Sequence, residues 1–177
     1  MRGLLLLSDP HHAQMHPERW KEAAKKLDFQ IQHEETAAWN GPPLLSSVQL
    51  GFHRLCRRCD WVCVMAEGDM ACLGLILAAQ LSVDRLILLG GRSFLRVGKA
   101  RQLRWMNAFA RRNLALITAE ILAVGLPEAA LRTLATGLGF HSGGLLEIGD
   151  AAELWQKRET FLTAPFATLQ RAVDCGK

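Results

Sequence analysis

The chain has no apolar run long enough to cross a membrane. Its longest apolar stretch, Ala71 to Leu89, is broken by Gln80, Ser82, Asp84 and Arg85, whereas a spanning helix needs about 20 predominantly apolar residues. No export signal is expected either. The start "MRGLLLLSDPHH" offers four leucines and then Ser-Asp-Pro, without the longer apolar core and small-residue cleavage site that secretion uses. No segment is low in complexity. The glycine-rich stretches "LGGRS" and "GFHSGG" have neither Gly-x-Gly-x-x-Gly nor phosphate-loop spacing, and the turn "SDPHHAQ" holds no glycine at all. These absences argue against a membrane protein and against dinucleotide binding. The expectation is a cytoplasmic chain with no cofactor.

The five cysteines (Cys56, Cys59, Cys63, Cys72, Cys175) are an odd count in a chain without an export signal, so reduced thiols are expected. His53, Cys56, Cys59 and Cys63 in "HRLCRRCDWVC" resemble a zinc set by composition alone. Most of that stretch lies on one helical pattern, where ten residues rise about 15 Å. Zinc–ligand bonds are only about 2.0–2.3 Å long, so one helix cannot wrap all four around an ion. No metal is expected there. Low-pKa thiols favour helix N-termini, and "CRRC" sits near a C-terminus, which argues against a redox pair.

What the chain does have is alternation. It has 177 residues, half of them apolar, which suits one globular domain over residues 1–177. "GLLLLS" is a short, continuously apolar run, as in a strand buried on both faces. Residues 16–28 are helical in pattern, with Trp20, Ala23, Ala24 and Leu27 on one face. "FQIQHE" alternates like a more exposed strand, and "NGPP" marks a turn before a helix over residues 44–58. "DWVCVMA", "VDRLILLGG", "ALITAEILAVG" and "GGLLEIG" supply four further strands. Helices over residues 70–81, 98–113, 127–138 and from Asp150 to about Val173 follow them in turn. Six strand–helix units predict a mostly parallel sheet with helices on both faces. In such open sheets ligands bind at the carboxyl ends of the strands. The turns that matter are therefore "SDPHH", "AEGDMA", "LGGRS", "VGLPE" and "IGDAAE".

The order of these turns resembles the α/β-hydrolase superfamily. In that family one strand ends in a sharp Gly-x-Ser-x-Gly elbow carrying the nucleophile. A "VDRLVLL"-like strand follows, which "VDRLILLGG" matches. Later strands bring the acid and then the histidine. The resemblance implies a three-layer α/β/α fold, strand order 2-1-3-4-5-6, no cap domain, and absence of the family's first two strands. It also implies where a catalytic set would stand. With Ala66 at the first small position of the elbow, Gly68 occupies the nucleophile position, and glycine has nothing to attack with. Shifted by one, Asp69 stands there, as in dehalogenase-like branches. Glu128 in "VGLPE" matches the acid. "IGDAAELW" places Ala152 where the family has its histidine, and His141 precedes the last strand. The implied protein is a reduced, catalytically degenerate relative that binds a small molecule or a partner. The alternative is an esterase- or dehalogenase-like hydrolase using Asp69, Glu128 and either His11 or His12.

The remaining candidates come from the residues themselves. Asp9, His11, Gly68, Asp69 and Gly91 fall on turns at the predicted carboxyl edge, so they are the expected ligand-binding set. A histidine there can act as acid or base near neutral pH. Pro10 has no N–H to offer an oxyanion. Asp9, Glu67 and Asp69 could converge on a cation, but a carboxylate capping the following helix is the simpler role for Asp69. From Arg85 to Ala119 there are eight basic residues and no acidic one, within a total net charge of +4. Anion binding through the Arg85 to Arg112 region is a second alternative, although no nucleic-acid motif is present. An uncovered sheet edge would suit a homodimer.

Overall fold

A computed structural model of the chain describes residues 1–8, 15–35, 42–90 and 101–174. Six strands form one parallel sheet in the order β2-β1-β3-β4-β5-β6, as the resemblance implied. They are β1 (Arg2–Ser8), β2 (Phe29–Glu35), β3 (Trp61–Glu67), β4 (Arg85–Leu89), β5 (Glu120–Val124) and β6 (Gly144–Ile148). The helices are α1 (Pro17–Lys26), α2 (Pro42–Cys56), α3 (Met70–Gln80), α4 (Arg101–Asn113), α5 (Glu128–Gly137), α6 (Ala151–Gln156), α7 (Arg158–Thr163) and α8 (Phe166–Asp174). Among the described residues, only α4 and a single 3₁₀ turn, Leu114–Leu116, stand between β4 and β5.

Strand side chains alternate between two cores because successive Cβ atoms point to opposite faces. Leu5, Leu7, Val64, Leu86, Leu88 and Ile121 pack beneath α2, α3, α4 and α5. Leu4, Leu6, Met65, Ile87, Leu122 and Val124 pack beneath α1, α6, α7 and α8. The run "LLLL" in β1 is thus needed on both faces, and none of its four leucines is accessible. Each contributes about 1.5–3 kcal/mol relative to exposure.

α3 is apolar all round because it lies between the sheet and α4, with every residue from Met70 to Ala78 buried. Gly74 lets it approach the sheet: a Cβ there would stand 3.0 Å from Ala66 Cβ and 3.1 Å from Leu86 Cδ1. The long C-terminal helical pattern is divided into three helices, interrupted at Lys157 and again at Ala164–Pro165. Pro165 cannot continue a helix begun before it.

Arg85 corrects the sequence reading most clearly. It is not on a basic surface but 2 % exposed at the start of β4. Its guanidinium donates to Glu120 Oε2 and to the carbonyls of Phe161 (2.6 Å) and Ala164 (2.9 Å), and it lies 5.3 Å from the Trp61 ring centroid. The side chain therefore ties α7 and the turn into α8 to the amino edge of the sheet. Burial of a guanidinium is tolerable because four of its N–H bonds find acceptors. No helix of the described residues is long and apolar enough to cross a membrane.

Candidate binding site at the carboxyl edge

Four adjacent strands leave the sheet through a glycine: Gly68 after β3, Gly90 after β4, Gly125 after β5 and Gly149 after β6. The parallel ladder runs one step past the strands through three of them. Gly68 N donates to Leu89 O (3.1 Å), Gly90 N to Val124 O (2.9 Å) and Gly125 N to Ile148 O (3.1 Å). At Gly90 the approach is close enough to demand a hydrogen side chain, since a Cβ would lie 2.3 Å from Gly125 O.

The sharp bend between β3 and α3 is taken at Gly68, whose φ is +57°. An L-residue pays steric energy there and glycine does not. Asp69 is already helical, at φ −68° and ψ −24°. Of the two possible registers, the backbone thus puts Gly68, not Asp69, at the strained position. The same conformation explains why Asp69 makes no side-chain capping bond, contrary to the capping role expected of it. A capping side chain works from extended backbone, which Asp69 does not have.

Glu67, one residue earlier, is wholly buried. Its Oε1 accepts from Met15 N at 2.7 Å. It fixes the backbone just ahead of α1 and so sets the position of His16, the residue preceding that helix. Ser8, at the end of β1, has its Oγ 2.8 Å from His33 Nε2 on β2. Such a distance suits a nucleophile and its base, but Ser8 is only 4 % exposed, so the contact serves as hydrogen-bond satisfaction for a buried hydroxyl.

Between α1 and α6 lies a cavity of about 260 Å³ lined by His16, Arg19, Trp20, Leu89, Ala151, Ala152, Leu154 and Trp155. Leu89 is the residue whose carbonyl receives the Gly68 amide, so the cavity adjoins the bend. Trp20 and Trp155 meet edge to face with centroids 5.3 Å apart, a favoured aromatic geometry. The α6 wall is fixed by reciprocal capping: Asp150 Oδ1 accepts from Glu153 N (2.8 Å), and Glu153 Oε2 accepts from Gly149 N (3.2 Å). A hydrogen bond from Lys157 holds the Glu153 carboxyl below its ordinary pKa.

The foreseen residues are only partly gathered here. Gly68 and Asp69 sit on the bend, and Ala152 lines the cavity. Asp9, His11, His12 and Gly91 lie outside the described residues. Glu128 begins α5 with its side chain 80 % exposed and bonded to Arg132 at 2.7 Å. His141 is exposed ahead of β6, at the edge of the sheet opposite the cavity. Sequence reasoning missed His16 and Arg19 as cavity residues. Both belong to a charged, helix-like stretch whose pattern gives no sign that a neighbouring helix 130 residues on completes a wall.

The other clusters resolve differently. Cys56, Cys59, Cys63 and Cys72 are free thiols. Burial pushes the Cys63 thiol up to about 12, against a smaller lowering by Arg85. Burial likewise raises Cys56 and Cys59. Among the described residues no group of three His, Cys, Asp or Glu side chains is placed to hold a metal ion. On α4, a hollow of about 270 Å³ is lined by Arg104, Asn107, Ala108, Arg111 and Arg112. Arg85 itself is buried, so among the described residues the basic run reaches the surface on α4, and its members Arg92, Arg96 and Lys99 lie outside the described residues.

No family model matches the chain, and no curated protein matches it in sequence. Solved structures do match. One comes from work on LipS and LipT, two metagenome-derived lipolytic enzymes, with a TM-score of 0.62 and 15 % identity over 96 % of this chain and 94 % of that one. An α/β-hydrolase enzyme from a Medee basin deep-sea metagenome library gives 0.53 and 10 % over 90 % and 86 %. A deformylase of N-formylmaleamic acid from Pseudomonas putida S16 gives 0.50 and 16 % over 92 % and 90 %. At these identities the likeness is one of fold, and the fold is that of the α/β hydrolases.

Proposed function

We propose that this α/β-hydrolase-like protein binds a small molecule in the cavity between α1 and α6 without performing hydrolysis at the elbow. The observation carrying this reading is that the left-handed position of the bend is filled by Gly68. Acyl transfer through the elbow requires a side-chain nucleophile there and a base within hydrogen-bond reach. Ala152, at the position matched to the family histidine, supplies only a methyl group. The neighbouring cavity, with its apolar walls and few polar groups, has the character of a ligand site.

The competing reading is a hydrolase built on Asp69, Glu128 and His11 or His12. It draws less support, because Glu128 is turned to solvent and bonded to Arg132. Two measurements decide. Short-chain p-nitrophenyl esters and haloalkanes are assayed on the wild type and Asp69→Asn, with no Asp69-dependent turnover expected. A thermal-shift screen of small metabolites is run in parallel on the wild type and Ala152→Trp, whose indole would occupy the cavity. Ligands that raise the wild-type melting temperature by mass action should lose their effect in the variant. Turnover abolished by Asp69→Asn would overturn the proposal.

A further inference from the structure

The geometry points to a ligand class for this cavity: a single-ring aromatic acid, its ring held by Trp20 and Trp155 and its carboxylate by Arg19 with His16. The inference rests on the proposal that the cavity is a small-molecule site.

Three observations carry it. The first is charge. Among the lining residues are one permanent cation, Arg19, and one imidazole, His16, and no acidic side chain. Arg19 and His16 are both exposed, and neither side chain makes a hydrogen bond or ion pair with another described residue. Their donors are therefore available to an incoming anion. The carboxylates of Glu22 and Glu159 line the adjoining hollow beyond Arg19, which also holds Lys26 and Arg158, so cations outnumber acids on that side too. The second is shape. The guanidinium fork matches a carboxylate with two parallel N–H···O bonds, and a planar anion suits it better than a bulky one in so small a space. The third is the wall. Trp20 is 3 % exposed and Leu154 wholly buried. Both tryptophans line the cavity in edge-to-face contact, and although Arg158 lies 4.5 Å from the Trp155 ring centroid, the part of this aromatic wall that faces the cavity suits a further ring. At about 260 Å³ the cavity falls just below the roughly 300–1,000 Å³ of sites for drug-sized ligands, which limits the occupant to about one ring.

The test uses benzoate, phenylacetate and 3-phenylpropionate against their uncharged amides, titrated by calorimetry into the full chain. The wild type should bind at least one acid tenfold or more tightly than its amide. Arg19→Gln should bring the acid down to the amide's affinity and leave the amide unchanged. Ala152→Trp should abolish both. Arg19 and Ala152 are surface positions, and each variant is checked for an unaltered melting temperature. Acid and amide binding equally, or Arg19→Gln leaving the preference intact, would overturn the ligand class while sparing the cavity. Binding that survives Ala152→Trp would overturn both, as would no binding by any probe.

Discussion

Placing a serine in the bend tests the proposed lack of a nucleophile directly. In Gly68→Ser the new residue must adopt φ near +57°. Left-handed backbone costs an L-residue about 1–2 kcal/mol. Loss of glycine's freedom in the unfolded chain returns about 0.4–1 kcal/mol. The net cost is about 1 kcal/mol, or about 2–4 °C of melting temperature for a chain of this size. Urea denaturation and thermal melts give the stability, and p-nitrophenyl acetate hydrolysis gives the chemistry. The hydroxyl alone should yield no turnover above the wild type, because Ala152, at the position matched to the family histidine, has no group to take its proton. Adding Ala152→His supplies an imidazole from the α6 wall, and the double variant should exceed Gly68→Ser by about 10²–10⁴-fold, the range of positioned general bases. If Gly68→Ser alone hydrolyses ester as fast as the double variant, an imidazole already serves the bend and the vacant-site reasoning fails. If it stabilises the fold, the turn is not left-handed at residue 68.

Three further outcomes are expected. Arg85→Met should cost about 3–5 kcal/mol by urea denaturation, since it strands Glu120 and two carbonyls; the 28 % exposure of the Glu120 side chain argues for the lower end, and a loss below about 1 kcal/mol would contradict the clamp. Gly90→Ala should cost about 1–3 kcal/mol or more, because its Cβ meets the Gly125 carbonyl at 2.3 Å; an unchanged melting temperature would refute the close approach. The raised Cys63 pKa favours the protonated, folded state, so its contribution is complete below the ordinary 9.0 and is lost as pH climbs towards about 12. Stability should therefore fall with pH above 9 more gently in Cys63→Ala than in the wild type, and iodoacetamide at pH 8 should spare Cys63 until urea unfolds the chain.

The sheet was legible because its strands need apolar residues on both faces, which leaves short continuous runs such as "LLLL" and "RLILL" between amphipathic stretches. Gly68 was legible as one of two registers, and its positive φ chose between them. Arg85 was not legible: its acceptors are 35, 76 and 79 residues away, and a basic residue followed by more basic residues reads as surface. The Glu67–Met15 bond was hidden for the same reason, at a separation of 52. Asp69 was misread because capping preference is a statement about extended backbone, and the tight bend at Gly68 had already delivered the chain into helix. The division of the C-terminal helical region was implied by Pro165, but the break at Lys157 has no comparable marker.

Gly68, Gly90, Gly125 and Gly149 give the carboxyl edge a floor of bare peptide. Such a floor presents no side chain, its four amides already donate to Leu89, Val124, Ile148 and Glu153, and at Gly90 it has no room to be redecorated. On the proposed reading, selectivity resides in the two helices that line the cavity, α1 and α6. Exchanges at residues 16, 19, 151, 152 and 155 would then retune what is accepted while the sheet stays untouched, an arrangement in which recognition could drift independently of folding.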